Sequence, residues 1–66
     1  MYGERIRELR KSVNMTQAQL AARLGVGQKD VSRYELEQHE PSIAAILKLC
    51  EIFDVSADYL LGRTDF

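Results

Sequence analysis

The sequence predicts a compact all-α fold in which five short helices form a single domain over residues 1–66. Apolar residues recur three and four positions apart, and no stretch shows the alternation of a half-buried strand. The segments between the predicted helices are only a few residues long, so neighbouring helices must pack against each other. A chain of 66 residues has room for one such domain.

The first helix is predicted over about residues 2–13, where Ile6, Leu9 and Val13 are spaced three and four apart and should face inward. It should end at Asn14, because asparagine tolerates the left-handed conformation common at a helix C-terminus.

The second helix is predicted over about residues 17–24, with inward positions at Leu20, Ala21 and Leu24. Thr16 is a good N-cap, and Gln19, three residues later, completes a capping box.

The third helix is predicted over about residues 28–35, and a glycine corner separates it from the second. Ala21 is small enough for the two helices to approach closely. Gly25 can adopt the positive φ that ends a helix, and Val31 should anchor the third helix in the core. Together these residues predict a helix-turn-helix over about residues 17–35. A generic helical corner would show the same three residues, so this spacing alone is moderately specific.

The last two helices follow a loop closed by Pro41. Ser42 should cap a fourth helix over about residues 43–53, and Ser56 a short fifth helix over about residues 57–61, closed by Gly62. Asp54 stands where glycine usually ends a helix. The inward stripe of the fourth helix is predicted to be Ile43, Ile46, Leu47, Cys50 and Phe53.

Composition is that of an ordinary globular protein, but its charge is polarised along the chain. Residues 1–33 carry seven basic and three acidic side chains, whereas residues 34–66 carry two basic and seven acidic ones. Such a chain can present one basic face to a polyanion; the alternative is an uneven scatter of charge over solvated helices. The sequence contains no membrane-spanning stretch and no secretory signal, and its single cysteine cannot form an internal disulfide, so we expect an intracellular setting.

Four features together resemble the Cro/repressor-type, or lambda-repressor-like, helix-turn-helix family of phage and bacterial regulators. Three of them are "MTQAQLAARLGV", "VSRYE" and "PSIAAILKLCEIFDVSADYLLG", and the fourth common feature is the order in which these three occur; the resemblance covers about residues 4–62. It implies a five-helix DNA-binding domain, usually dimeric, that reads a palindromic operator in double-stranded DNA.

The resemblance places the third helix in the major groove, with its first turns at the bases. The residues matching base-reading positions are Gln28, Lys29, Asp30, Ser32 and Arg33. Glutamine suits adenine, and lysine and arginine suit guanine. Asp30 either accepts from cytosine or only stabilises the helix N-terminus, and for all five the alternative is a solvated helix face.

The resemblance also implies phosphate contacts at the start of the second helix. Gln17 is the leading candidate, because unsatisfied N–H groups at a helix N-terminus attract anions. Further candidates, each with a plain structural alternative, are Thr16, Arg5, Lys11, Arg23 and Tyr34. Arg10 is expected to pair with Glu35 and so tie the first helix to the end of the third; a phosphate contact is the competing role.

Two departures from the family pattern stand out. Gly27 occupies the N-cap of the third helix, where serine or threonine is common, and it lacks the hydroxyl that could touch a phosphate. The loop over residues 37–40 contains Glu37 and Glu40, where the family often has basic residues. We expect this loop either to turn away from DNA or to weaken binding, and His39 would add attraction only when protonated.

The leading functional prediction is a sequence-specific transcriptional regulator, of the repressor kind, that binds its operator as a homodimer in the bacterial or phage-infected cytoplasm, at the nucleoid. The alternative is a protein-interaction module on the same scaffold, such as an antitoxin, an anti-repressor partner or an adaptor. An enzyme is not expected, because no nucleophile, base and paired carboxylates share a face. No cofactor or small-molecule effector is predicted.

The remaining predictions concern three single residues. His39 has no second metal ligand at useful spacing, so no metal site is predicted. Cys50 should be a buried small hydrophobe, with a redox sensor as the weaker alternative. Phe66 should either seal the dimer or cap the core, since the family often dimerises near the C-terminal helix.

Overall fold

The structure, a computed structural model, describes residues 2–65 as five helices joined by short turns. The helices are α1 (Tyr2–Ser12), α2 (Gln17–Leu24), α3 (Gln28–Glu35), α4 (Ile43–Phe53) and α5 (Ala57–Leu60). The all-α, five-helix prediction is confirmed, and α1 and α5 each end one residue earlier than predicted. Within residues 2–65 no helix is both long and apolar enough to cross a membrane. The prediction for Phe66 lies outside the described residues.

The predicted helix starts are confirmed by their hydrogen bonds. At α2, the Thr16 hydroxyl accepts from the Gln19 N–H at 3.0 Å, and the Gln19 side chain accepts from the Thr16 N–H at 2.9 Å. The Ser42 and Ser56 hydroxyls each accept an N–H from the first turn of the helix that follows. Each cap satisfies a backbone donor that the helix itself cannot pair.

The core lies where the five helices meet. Helix α3 packs against α1 and α2, whereas α4 packs against α1, α2 and α5. The fully buried side chains, in chain order, are Ile6, Leu20, Val31, Leu49 and Leu60. Because α3 lies against only one side of this core, its opposite side is free to face solvent.

The inward stripe of α1 differs from the prediction. Val13 lies beyond the end of the helix and is 55% exposed, so its inward assignment was wrong. The buried positions are Gly3, Ile6 and Arg10. Gly3 has no side chain and allows a close backbone approach, and Arg10 carries a charge that is paired with Glu35. The spacing of apolar residues could therefore not identify either position.

The inward stripe of α4 was also partly wrong. Ile43 and Leu47 are 78% and 58% exposed, and the buried positions are Ala45 and Leu49. Ile46, Cys50 and Phe53 do pack against the core, as predicted. The helix is apolar around most of its circumference, so periodicity alone left its rotation about the axis undetermined.

The corner between α2 and α3 depends on Gly25, which adopts φ +75°. The Gly25 N–H closes the end of α2 on the carbonyls of Ala21 and Ala22. A Cβ at this position would meet nothing within 4 Å, so only the backbone conformation resists substitution.

Gly25→Ala is therefore expected to lower the free energy of unfolding by about 1–2 kcal/mol, the cost of holding an L-residue in the left-handed region. Chemical denaturation measures this loss. Asp54→Gly is the converse control, because Asp54 has φ +54° at the end of α4 and glycine should relieve strain there. A Gly25→Ala variant as stable as the parent would show that the corner tolerates another conformation.

Candidate nucleic-acid interface

The solvent side of α3 presents the polar side chains that were predicted to read bases. Gln28, Lys29 and Arg33 are exposed, and Ser32 is half-buried. Gln28, Lys29 and Ser32 line one shallow depression together with Gln17 from the first turn of α2. The fold thus brings the candidate base readers beside the leading phosphate candidate, although eleven positions separate Gln17 from Gln28 along the chain.

Asp30 faces the start of its own helix. Its carboxylate accepts the Gly27 N–H at 3.1 Å, and its own N–H donates to the Gly27 carbonyl at 3.0 Å. This hydrogen bond is the half of a capping box that the third helical residue supplies; the other half, from an N-cap hydroxyl, is absent because Gly27 has no side chain. The geometry favours the helix-stabilising role of Asp30 over base contact.

Arg10 and Glu35 form a nearly buried pair that joins α1 to the end of α3. Nε of Arg10 donates to Glu35 Oε2 at 2.6 Å, and Nη2 donates to Oε1 at 3.1 Å. The side chains are only 11% and 4% exposed. The remaining terminal nitrogen, Nη1, donates to the Met15 carbonyl at 2.8 Å, so the guanidinium also holds the turn before α2.

Gln17 belongs to the same network. Its Nε2 donates to Oε1 of Glu35 at 3.2 Å. A glutamine amide nitrogen carries two hydrogens, so Gln17 retains one donor for an external anion. The buried pair therefore orients the side chain that begins α2, at the end where helix N–H groups attract negative charge.

The other phosphate candidates are spread over several surfaces. Thr16 is exposed but its hydroxyl serves the α2 cap. Lys11 and Arg23 are exposed, and Arg23 lines a different depression, between the end of α1 and α2. Lys11, on α1, and Arg23, on α2, thus keep their charged groups in solvent.

Arg5 is engaged at the opposite end of the fold. Its Nη1 donates to the carbonyls of Tyr59 and Thr64, and its guanidinium carbon lies 4.1 Å from the centre of the Tyr59 ring. Its Nη2 also lies 3.4 Å from Asp65 Oδ1. These contacts fasten the C-terminal segment to α1, and the structure does not bring Arg5 together with the α3 face.

Tyr34 packs into the core with 5% of its surface exposed. Its ring stacks on His39, with the centroids 6.0 Å apart. Burial, with a smaller contribution from Asp30, raises the pKa of the Tyr34 hydroxyl. These observations support the packing alternative over a phosphate contact.

The acidic loop turns toward the start of α1. The Glu37 carboxylate accepts the Gly3 N–H at 3.0 Å, and the Tyr2 hydroxyl donates to the His39 carbonyl at 3.4 Å. Glu40 lines a groove with Tyr2. Both acids thus follow the C-terminal end of α3, and that end lies about 10 Å along the helix axis from Gln28.

Cys50 is half-buried against the core, and burial raises the pKa of its thiol. A raised pKa leaves little thiolate at neutral pH, so this environment is that of a packing residue. Among residues 2–65, the structure groups no three His, Cys, Asp or Glu side chains suited to holding a metal ion.

Two helices joined at a glycine corner, one capped at its N-terminus and the next presenting a polar, partly basic face, define a helix-turn-helix domain. The comparison with family models agrees. The model described as "Helix-turn-helix" matches residues 6–60, and the chain belongs to that family. The lambda-repressor-like resemblance predicted from the sequence is confirmed.

Similar proteins include bacterial and phage regulators. The chain is 40% identical over 65 residues to the uncharacterized HTH-type transcriptional regulator YobD of Bacillus subtilis (strain 168), covering 98% of this chain and 58% of that protein. It superposes with a TM-score of 0.86 and 37% identity on the P22 c2 repressor in complex with a synthetic operator, covering 91% of each chain. It also matches SinR, a master regulator for biofilm formation, in complex with DNA, with a TM-score of 0.82, 34% identity and coverage of 92% of this chain and 98% of that one. The chain spans between 50% and 59% of the length of three curated relatives that it matches.

Proposed function

We propose that this chain is the DNA-binding domain of a sequence-specific transcriptional regulator, of the repressor kind, that binds operator DNA as a homodimer in the cytoplasm. The observation that carries the proposal is the shared depression in which Gln17 meets Gln28, Lys29 and Ser32. There the candidate phosphate contact lies beside three of the candidate base readers. The similar folds of the P22 c2 repressor, in complex with a synthetic operator, and of SinR, in complex with DNA, support DNA binding by this fold.

In this proposal α3 lies in the major groove and its exposed side chains discriminate between bases. Arg33 and Lys29 donate to guanine O6 and N7, and Gln28 pairs with adenine N6 and N7. Lys29 and Arg33 are four residues apart and therefore lie on one stripe of α3. Asp30, whose carboxylate accepts the Gly27 N–H, contributes by holding the start of the helix.

The start of α2 fixes the register of the domain on the duplex. Gln17 and the unpaired N–H groups of the first α2 turn meet a phosphate, while Lys11 and Arg23 add longer-range attraction. Such contacts supply affinity without sequence information, which leaves discrimination to α3. Of the two acids in residues 37–40, Glu37 is held at the start of α1 by its hydrogen bond from the Gly3 N–H, beyond the C-terminal end of α3 and not at the first turns that meet the bases in this proposal.

Lys29→Ala and Arg33→Ala are each expected to weaken operator binding by about 1–3 kcal/mol, roughly 5- to 150-fold in Kd, because each removes a base or phosphate contact. The operator is first selected from a random duplex pool, and Kd is then measured by fluorescence anisotropy over a range of salt concentrations. Binding should fall steeply with salt.

Arg63→Ala is the matched control, since Arg63 is a 76% exposed cation that pairs only loosely with Asp58 and lies outside the candidate interface. It should leave Kd within about twofold, the range expected for an exposed charge. If Lys29→Ala and Arg33→Ala were silent and a protein partner co-purified instead, the chain would be an interaction module and the proposal would be wrong.

A further inference from the structure

One stripe of α1 faces the end of α3. Gly3, Arg7 and Arg10 are four and three residues apart, so they lie on the same side of the helix. Gly3 is so close to α3 that an added Cβ would lie 2.9 Å from the Tyr34 carbonyl oxygen. Arg10, at the other end of the stripe, donates two hydrogen bonds to Glu35. Arg7 stands between two residues that contact the end of α3, and it therefore lies beside that end.

Arg7 differs from both of these residues because it is exposed and its charge is unpaired. Within residues 2–65 its guanidinium forms no hydrogen bond or ion pair, although Glu4 lies three positions before it, a spacing at which ion pairs form on helices. Lys11 is likewise exposed and unpaired within that range, with Glu8 three positions before it. Arg7 and Lys11 are four residues apart, so two like charges are neighbours on α1. Such neighbours repel each other unless an anion covers them.

These two cations lie close to the start of α2. Arg10, which is three residues after Arg7 and directly before Lys11, donates to Glu35 Oε2 at 2.6 Å. Gln17 donates to Oε1 of the same carboxylate at 3.2 Å. Three residues of α-helix rise about 4.5 Å. Arg7 is thus about one helical turn away from a residue that shares a carboxylate with Gln17.

We propose that Arg7 is a further phosphate-contacting residue, and that Arg7 and Lys11 form a cationic α1 edge that continues the phosphate contact of Gln17. One DNA strand carries a phosphate about every 3.4 Å along the duplex axis, so a strand held at Gln17 offers further phosphates to an edge one helical turn away. A guanidinium can donate two parallel hydrogen bonds to one phosphate. The inference rests on the proposed function and adds to it a contact from α1, while α3 still reads the bases.

Arg7→Ala should weaken operator binding about tenfold at low salt, because it removes a charged hydrogen-bonding group from a phosphate. It should also lower the slope of log Kd against log salt concentration by about one, since fewer counterions are released on binding. Fluorescence anisotropy measures Kd for the selected operator duplex and for a duplex of scrambled sequence. The ratio of these two Kd values should stay the same, because phosphate contacts carry no sequence information.

Three further variants separate a phosphate contact from other roles. Arg7→Lys keeps the charge and should restore the salt slope. Gln17→Ala removes an uncharged contact, so it should weaken binding without changing the slope. Arg63→Ala removes an exposed cation elsewhere and should leave both Kd and slope unchanged. Arg7→Ala should unfold at the same urea concentration as the parent chain, since the Arg7 guanidinium has no partner within residues 2–65.

The outcomes separate this inference from the proposed function. An unchanged slope for Arg7→Ala, with binding still weakened by Lys29→Ala and Arg33→Ala, overturns the α1 edge and leaves the proposed function standing. A changed ratio of the two Kd values would mean that Arg7 discriminates between bases, which also overturns the α1 edge. A parent chain that binds all duplexes equally contradicts the proposed function, whereas a slope that depends on Arg7 in that chain supports the α1 edge. A chain that binds no duplex overturns both.

Discussion

Glu35→Ala is expected to lower the free energy of unfolding by about 3 kcal/mol, because it leaves the Arg10 guanidinium buried without its counter-charge. Arg10→Ala should cost a similar amount, since the Glu35 carboxylate would lose two hydrogen bonds from Arg10 and keep only that from Gln17. The double variant should lose clearly less than the sum of the two single variants. Urea denaturation of the four proteins gives the coupling energy directly.

The Arg63–Asp58 pair is the matched control. Its nitrogen and oxygen are 3.8 Å apart and both side chains are at least 70% exposed. Water and salt screen such a pair, so its coupling energy should stay below about 1 kcal/mol. Additive losses at Arg10 and Glu35 would show that the buried pair is not an energetic link between α1 and α3.

Gly3→Ala is expected to destabilise the fold by about 1–3 kcal/mol through overpacking. A Cβ on Gly3 would collide with the Glu35 carbonyl oxygen and would lie 2.9 Å from that of Tyr34. It would also lie 2.7 Å from Cγ of Glu37, the residue whose carboxylate accepts the Gly3 N–H. The start of α1 would have to move away from the end of α3, and thermal or chemical denaturation would detect the loss.

Gly27→Ala is the control for Gly3→Ala. Gly27 has φ −80°, which any residue adopts, and its nearest atom to an added Cβ is Asp30 Oδ2 at 3.6 Å. The substitution should therefore change stability by less than about 1 kcal/mol, the range of a weak cap effect. Equal losses for Gly3→Ala and Gly27→Ala would mean that the close approach of α1 to α3 is not the cause.

Features that depend on near neighbours in the chain were predictable. Thr16 and Gln19 predicted the capping box, Gly25 the left-handed corner, and Asn14 and Asp54 the left-handed helix ends, because each acts on backbone groups within a few residues. The inward faces were less predictable. Val13, Ile43 and Leu47 are as apolar as the core residues, and only packing shows that they are exposed.

The close approach at Gly3 was missed, although a lone glycine inside a helical pattern is a recognisable sign of tight packing. Its partner, the Glu37 carboxylate, lies 34 positions away, beyond any local pattern. The hydrogen bond from Gln17 to Glu35 was missed for the same reason, because it joins the start of α2 to the end of α3.

Five helices, their caps and the glycine corner could be predicted from the residues, since these follow from residue conformations and from hydrogen bonds over three or four positions. The tertiary structure alone decided that Gln17 stands beside Gln28 and Lys29, that Arg5 faces the C-terminal segment, and that the acidic loop caps α1. Those placements depend on how whole helices rotate and approach each other, and that is set by packing summed over the entire core.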